Sequence, residues 1–202
     1  MSKIALVSPA SGTATFSITT PSGTSTDRTL TLPDSTGTII TTGSTAGVSQ
    51  AMLAAGVAGN GPAFSAGQNL AQSINSGTWT KLTVNSEDFD TANCYDNTTN
   101  YRFTPNVAGY YQVSGAVTFN ASSATANSNY SAIYKNGLQN KVGSAGPLSS
   151  TDYTTTVVTC LVYLNGSTDY VELFGFQNRG TSLSIINVVA FTHFEASMVR
   201  AA

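Results

Sequence analysis

Charge is the scarcest property of this 202-residue chain: Asp, Glu, Lys and Arg together make up 9% of it, against about 25% in an average soluble protein. Ser, Thr, Asn and Gly carry solubility instead. With so few lysines to guard them, exposed strand edges invite association, which points to an obligate oligomer. The formal net charge is -2 and no run of Lys or Arg occurs. Phosphate neutralisation needs a basic stripe, so nucleic acid is not an expected partner. No apolar stretch approaches the roughly 20 residues of a spanning helix, so membrane insertion is not expected either. The apolar run within Met1–Pro9 is too short for a secretory signal, and the expectation is synthesis in a host cytoplasm and release as part of a particle.

Cysteine and histidine are nearly missing. Cys94 and Cys160 do not make a disulfide framework in a chain of this length, and no paired spacing suggests a metal site. Cys160 lies in an apolar run where a buried thiol is expected, and a Cys94–Cys160 bridge stays open as the alternative. His193 is the only histidine, so any Ser-His-Asp or Cys-His scheme must run through it. Its apolar strand-like surroundings suit a structural histidine better. The carboxylates Glu87, Asp88, Asp90 and Asp96 crowd one loop and its flanks, whereas glycosidase pairs face each other across a groove. No enzyme activity and no cofactor are expected. With Asn93 and Asn97 the same cluster offers oxygen ligands for calcium. It lacks a recognisable loop pattern, and a solvated hydrogen-bonding loop is the alternative.

What the chain has in quantity is β pattern. Pro105 and Gly109 bracket a turn, after which Tyr111, Val113, Gly115, Val117 and Phe119 share one face and Gln112, Ser114, Thr118 and Asn120 the other. This is a half-buried strand of an antiparallel sandwich. Further strands are expected at 79–84, 101–104, 128–134, 155–163, 170–176 and 185–194, with turns at Lys135-Asn136-Gly137 and Asn165-Gly166-Ser167. Many strands with no helix between them favour a sandwich or jelly roll over residues 63–202.

The first third differs. Residues 1–43 hold short β-type runs and a Pro33-Asp34 turn but too few apolar residues for an independent domain, so they read as a β anchor that folds with help. Residues 44–62 form a neck or linker. Val48, Met52 and Ala55 lie on one face of a candidate helix, with Leu53 beside it; ten or so residues do not stay helical alone in water, but they persist if packed around a symmetry axis. An extended linker is the alternative.

Several of these motifs share one likeness. Ala63-Phe64-Ser65-Ala66, Phe89-Asp90 with Tyr95-Asp96, Phe103-Thr104-Pro105, Ala108-Gly109-Tyr110-Tyr111, Ile133–Gly137 and Phe191–Ala196 resemble the trimeric jelly-roll heads of the complement and tumour-necrosis-factor superfamily, in the version seen on phage fibres. Asn165–Leu173 sits where that family has a Gly-Asp pair before a strand, with Ser-Thr inserted here. Separately, Arg28–Ile39 looks like a segment common near the N-termini of phage fibre and decoration proteins.

The resemblance implies a homotrimer closed around a threefold axis, with two identical chains as partners and Val48, Met52 and Leu53 in the trimer neck. It implies a virion-surface protein: capsid decoration or tail receptor-binding fibre, docked to other virion proteins through its N-terminal segment, its head meeting a host glycan or protein. A secreted complement-like module is the rival, for which Asn97, Asn120 and Asn165 would be glycosylation sites; a polysaccharide-cleaving spike is a third reading. Long loops at sandwich ends carry specificity in such heads. The candidate segments are 121–130, 140–153 and 177–183, and the candidate ligand-binding residues are Tyr130, Asp152, Tyr153, Asn178 and Arg179: aromatic faces, a carboxylate and an exposed cation suited to sugar hydroxyls.

Overall fold

The structure is a computed structural model that describes residues 61–120, 128–145 and 153–202. The anchor expected over 1–43, and the neck over 44–62 apart from Gly61 and Pro62, lie outside the described residues. So do Val48, Met52 and Leu53. The described residues contain no helix. Their strands are β1 (Ala63–Gly67), β2 (Gln72–Ile74), β3 (Thr80–Lys81), β4 (Ser86–Asp90), β5 (Tyr95–Asp96), β6 (Arg102–Phe103), β7 (Ala108–Phe119), β8 (Asn129–Lys135), β9 (Leu138–Ala145), β10 (Thr154–Asn165), β11 (Val171–Gln177), β12 (Leu183–Ile185) and β13 (His193–Ala201).

All pairings are antiparallel. Sheet one runs β10-β7-β13-β1-β4, with β12 joining the far end of β7 and carrying β2. Sheet two runs β5-β6-β11-β8-β9, with β3 also on β11. The period-two alternation of 111–119 is realised: Tyr111, Val113, Val117 and Phe119 are fully buried between the sheets. Thr118, on the opposite face, is buried as well, because the 186–192 loop folds over it. Its hydroxyl donates to the Phe191 carbonyl at 2.8 Å, and its N–H donates to the Thr192 hydroxyl at 3.2 Å.

The sheets are joined by an aromatic cluster. Phe64 of β1 stacks on Tyr95 of β5 at 4.3 Å and on Phe103 of β6 at 4.8 Å, and meets Phe194 of β13 edge-on at 5.1 Å. Tyr111 of β7 completes it against Phe103. Its two phenols have partners, as buried hydroxyls require: Tyr95 donates to the Val84 carbonyl and Tyr111 to the Val107 carbonyl. Desolvation by burial pushes both phenols far up, so both stay donors.

Turn chemistry sets the hairpins. Lys135 pairs with Leu138 across a two-residue loop in which Asn136 and Gly137 have φ of 53° and 77°, the left-handed pair that a tight hairpin needs and that Asn-Gly supplies. At the β10–β11 turn, the Asn165 side-chain carbonyl accepts the N–H groups of Ser167, Thr168 and Asp169. The inserted Ser-Thr pair is therefore wrapped around one Asn side chain. Asp169 still reaches the neighbouring hairpin, accepting from Asn136 Nδ2 at 2.7 Å and from Lys135 Nζ at 2.9 Å.

Several expected boundaries change. The strand expected at 185–194 is two, β12 and β13, because a turn closed by Phe191 N–H on the Val188 carbonyl interrupts it. The strand expected at 79–84 shrinks to Thr80–Lys81: the Gln72 side chain donates to the Lys81 carbonyl and accepts the Thr83 N–H, taking groups a ladder would use. Residues 138–145, expected largely as loop, are β9, whose side chains are mostly exposed on both faces and show no apolar alternation. Cys94 and Cys160 are separate buried thiols, both pushed up chiefly by desolvation.

The acidic cluster is likewise partly strand, since Glu87, Asp88 and Asp90 belong to β4. Asp90 accepts the N–H groups of Ala92 and Tyr95. Asp96 accepts those of Thr98, Thr99 and Asn100, and the Asn100 side-chain amide. These carboxylates are engaged in folding their own loop, and among the described residues no three His, Cys, Asp or Glu side chains gather at a metal position.

Two outcomes follow for stability. Phe64→Ala, deleting the ring that touches Tyr95, Phe103 and Phe194, lowers unfolding free energy by about 3–5 kcal/mol, read from urea midpoints at unchanged slope. The Thr99 N–H foremost, then the other donors, hold the Asp96 carboxyl well below the usual carboxylate range. Its stabilisation is therefore complete above the unfolded value of about 4 and is lost as pH falls below it. Asp96→Asn melts lower at neutral pH and shows a flatter decline than the parent on acidification, as a calorimetric pH series will show.

Candidate functional site

The outward face of sheet one is the chain's least ordinary surface. Along β10 the side chains alternate strictly: Thr156, Val158, Cys160, Val162 and Leu164 are buried, while Thr155, Val157, Thr159, Leu161 and Tyr163 face out. Val157 is 60% exposed and Leu161 57%. Register sets them beside the outward residues of β7: Val157 opposite Ala116, Thr159 opposite Ser114, Leu161 opposite Gln112 and Tyr163 opposite Tyr110. None of these positions on either strand carries a charge. The Gln112 amide donates to the Thr159 hydroxyl at 2.5 Å, and the Tyr110 and Tyr163 rings lie 5.6 Å apart, with Arg200 over the first and Lys135 over the second, while Val157 and Leu161 stay open.

Farther across the same face the side chains become small. Ser114 stands opposite Glu195, and Gln112 opposite Ser197 of β13; Ser65 and Ala63 of β1 follow. Phe89 of β4, 51% exposed, is the far wall. Between them lies a shallow hollow of about 310 Å³ lined by Ala63, Phe89, Gln112, Ser114, Glu195 and Ser197, among others. Glu195 is held there by the Ser114 hydroxyl, which donates to it at 2.8 Å. One face thus presents an apolar ridge along one edge and, toward the other, a hollow that holds the Glu195 carboxylate among small side chains and Phe89. A surface with both parts can dock on a copy of itself head-to-tail, ridge into recess.

The sequence-based site residues fall elsewhere. Tyr130, on β8 of sheet two, lies 6.4 Å from the Trp79 ring and 5.9 Å from Phe176. Asn178 follows β11 at the same end, its side-chain oxygen accepting the Ser128 N–H at 2.8 Å. The Arg179 N–H donates to Gln177 Oε1 within the same turn. Tyr153 instead precedes β10 and meets Phe191 edge-on at 6.1 Å, beside sheet one. The structure thus groups Tyr130 with the 177–180 turn and places Tyr153 apart; Asp152 lies outside the described residues. His193 opens β13, opposite Ala116 of β7 and Gly67 of β1. Sequence reasoning missed Val157, Leu161, Tyr163 and Phe89. The signal was present in 154–165, a strand-length run apolar at both odd and even positions, as for a strand covered on both sides.

No family model and no curated protein matches the chain. The chain is similar to solved structures: the globular domain of zebrafish complement 1qA protein, at 14% identity and a TM-score of 0.51 over 70% of this chain and 100% of that one; Eiger TNF from S. frugiperda, at 8% and 0.53 over 69% and 93%; and murine APRIL at pH 5.0, at 10% and 0.50 over 68% and 98%. The described residues fold as an antiparallel jelly roll similar to those of complement and TNF domains.

Proposed function

We propose that this chain is a homotrimeric surface protein of a phage particle, a non-enzymatic binding head carried outward from the virion. The observation that carries the trimer is the outward face of sheet one. An uncharged ridge of Val157, Leu161 and Tyr163 beside a recess walled by Phe89 is a heterologous pair of surfaces, and three copies turned about one axis close it into a ring. The fold likeness to complement and TNF heads agrees with self-association. The particle reading is supported by the resemblance of Arg28–Ile39 to N-terminal segments of phage fibre and decoration proteins. In it, residues 1–43 dock on other virion proteins, 44–62 form a neck with Val48, Met52 and Leu53 around the axis, and 63–202 project as the head. Trimer avidity then multiplies a modest single-site affinity.

A secreted complement-like module is the second reading, favoured by the animal origin of the similar structures. Native protein carrying sugars at Asn97, Asn120 or Asn165 supports that rival. Density for the chain in cryo-electron micrographs of particles supports the virion reading, and its position separates capsid decoration from tail fibre.

The interface is tested by mass in solution. The parent chain runs as three copies at micromolar concentration, by light scattering. Val157→Lys with Leu161→Lys, both on outward positions, shifts the mass to one copy while the β-type circular dichroism spectrum is kept. A folded, monodisperse single-chain parent overturns the trimer.

A further inference from the structure

Most charged groups of the head are already engaged. Lys81 pairs with Glu172 at 3.1 Å and Lys135 with Asp169 at 2.9 Å, while Asp90 and Asp96 hold their own loop together. Glu195 accepts from the Ser114 hydroxyl, and Asp88 from that of Ser65 at 3.0 Å. Among the described residues neither of these two carboxylates is in an ion pair. Lys141 of β9 is exposed and, among the described residues, is in none either.

β9 belongs to sheet two, but one of its faces turns to the edge of sheet one. At Gly143 that face meets the Val157 carbonyl of β10 so closely that a Cβ has no room. Side chains on a strand alternate, so Lys141, two residues away, is on the same face. Its level is that of Thr159 and Cys160: the Cys160 thiol, raised by burial, is pulled the other way by the Lys141 charge. The ladders carry this level across sheet one. Thr159 is opposite Ser114, Ser114 opposite Glu195, and Glu195 opposite Ser65. One row thus has a cation at the β10 flank, the ridge beside it, and a carboxylate in the hollow.

We infer that in the proposed trimer Lys141 of each copy pairs with Glu195 of the next. The step rests on that trimer, with its axis along the strands of sheet one. Rotation about such an axis moves no residue along the strands, so contacts join residues at one level. Setting the β10 edge of one copy over the hollow of the next brings Lys141 toward Glu195, which is already level with it. Covering the Glu195 carboxylate with Val157 and Leu161 alone would strand a buried charge. Lys141 supplies the counter-charge and fixes which edge meets which flank. The aliphatic ridge drives association, and the ion pair sets its register.

Subunit exchange between differently labelled trimers of the full chain, read by native mass spectrometry, tests the pair. Lys141→Glu and Glu195→Lys each speed exchange by at least about tenfold, as reversing one partner of a covered charge pair does. Glu195→Gln, a smaller change, speeds it in the same direction. The double variant, Lys141→Glu with Glu195→Lys, returns the rate to within about threefold of the parent. That rescue also answers for folding in the single variants. Reversals that leave exchange unchanged, or a double variant as fast as the singles, overturn the pair while the trimer stands. So does parent exchange that speeds up with a chelator, which puts a metal ion at Glu195 instead. A parent that is a single chain overturns the trimer and the pair with it.

Discussion

The β7–β10 ladder is the constraint on which the rest depends. Twelve consecutive pairs run from Ala108 opposite Asn165 to Phe119 opposite Thr154 without a bulge. Side chains on a strand alternate, so a slip of one residue would send Val158, Val162 and Leu164 outward and drive Val157, Leu161 and Tyr163 into the core. Both alternatives are apolar, so polarity along β10 alone does not choose between them. The choice comes from β7, where Tyr111, Val113, Val117 and Phe119 face Gln112 and Ser114 across the strand, and from the other edge of β7, where β13 brings Phe194 and Ala196 to the same inner side. β7 is fixed on both edges, and β10 inherits its orientation.

That inheritance leaves an apolar ridge where solvent would otherwise select polar residues. A fully buried Val, Leu or aromatic side chain is worth about 1.5–3 kcal/mol relative to exposure, whereas a surface ion pair such as Lys135–Asp169 is worth about 0–1 kcal/mol. In the proposed trimer the association therefore runs on Val157, Leu161 and Tyr163, and the sparse charges set detail. The scarcity of charge and the exposed ridge agree with that proposal: a flank covered by copies of the chain would have little need of lysines along its longest edge.

What could be read in advance follows the same physics. The strand at 108–119 was legible because one face is apolar and the other polar. The β8–β9 hairpin turn was legible because Asn136-Gly137 takes a left-handed pair that few other dipeptides adopt. The course of β9 was not, since an edge strand exposed on both faces leaves no alternation to find. The break at 186–192 was hidden by its largely apolar composition: Val188, Val189 and Phe191 belong to the loop that folds over Thr118 and are not laddered. The ridge residues sat in plain view but read as core, because a sequence does not say whether a covered face is covered by the same chain or by a copy. Trp79, Tyr134, Phe174 and Phe176 are scattered over nearly a hundred positions; only the pairing of β8, β11 and β3 assembles them into one aromatic cluster on sheet two, so no local pattern could have revealed it.

The two sheets answer opposite demands with different apolar chemistry. On sheet one the exposed groups of β10 are largely aliphatic, next to a hollow lined by Ala63, Ser114 and Ser197 with Glu195 and Phe89. That is shape complementarity, which serves a partner of fixed form such as an identical chain. On sheet two the groups are aromatic and half-buried, packed on one another, with the Lys81–Glu172 pair beside them. Half-burying the rings against one another leaves less apolar surface outward on sheet two than Val157 and Leu161 leave on sheet one.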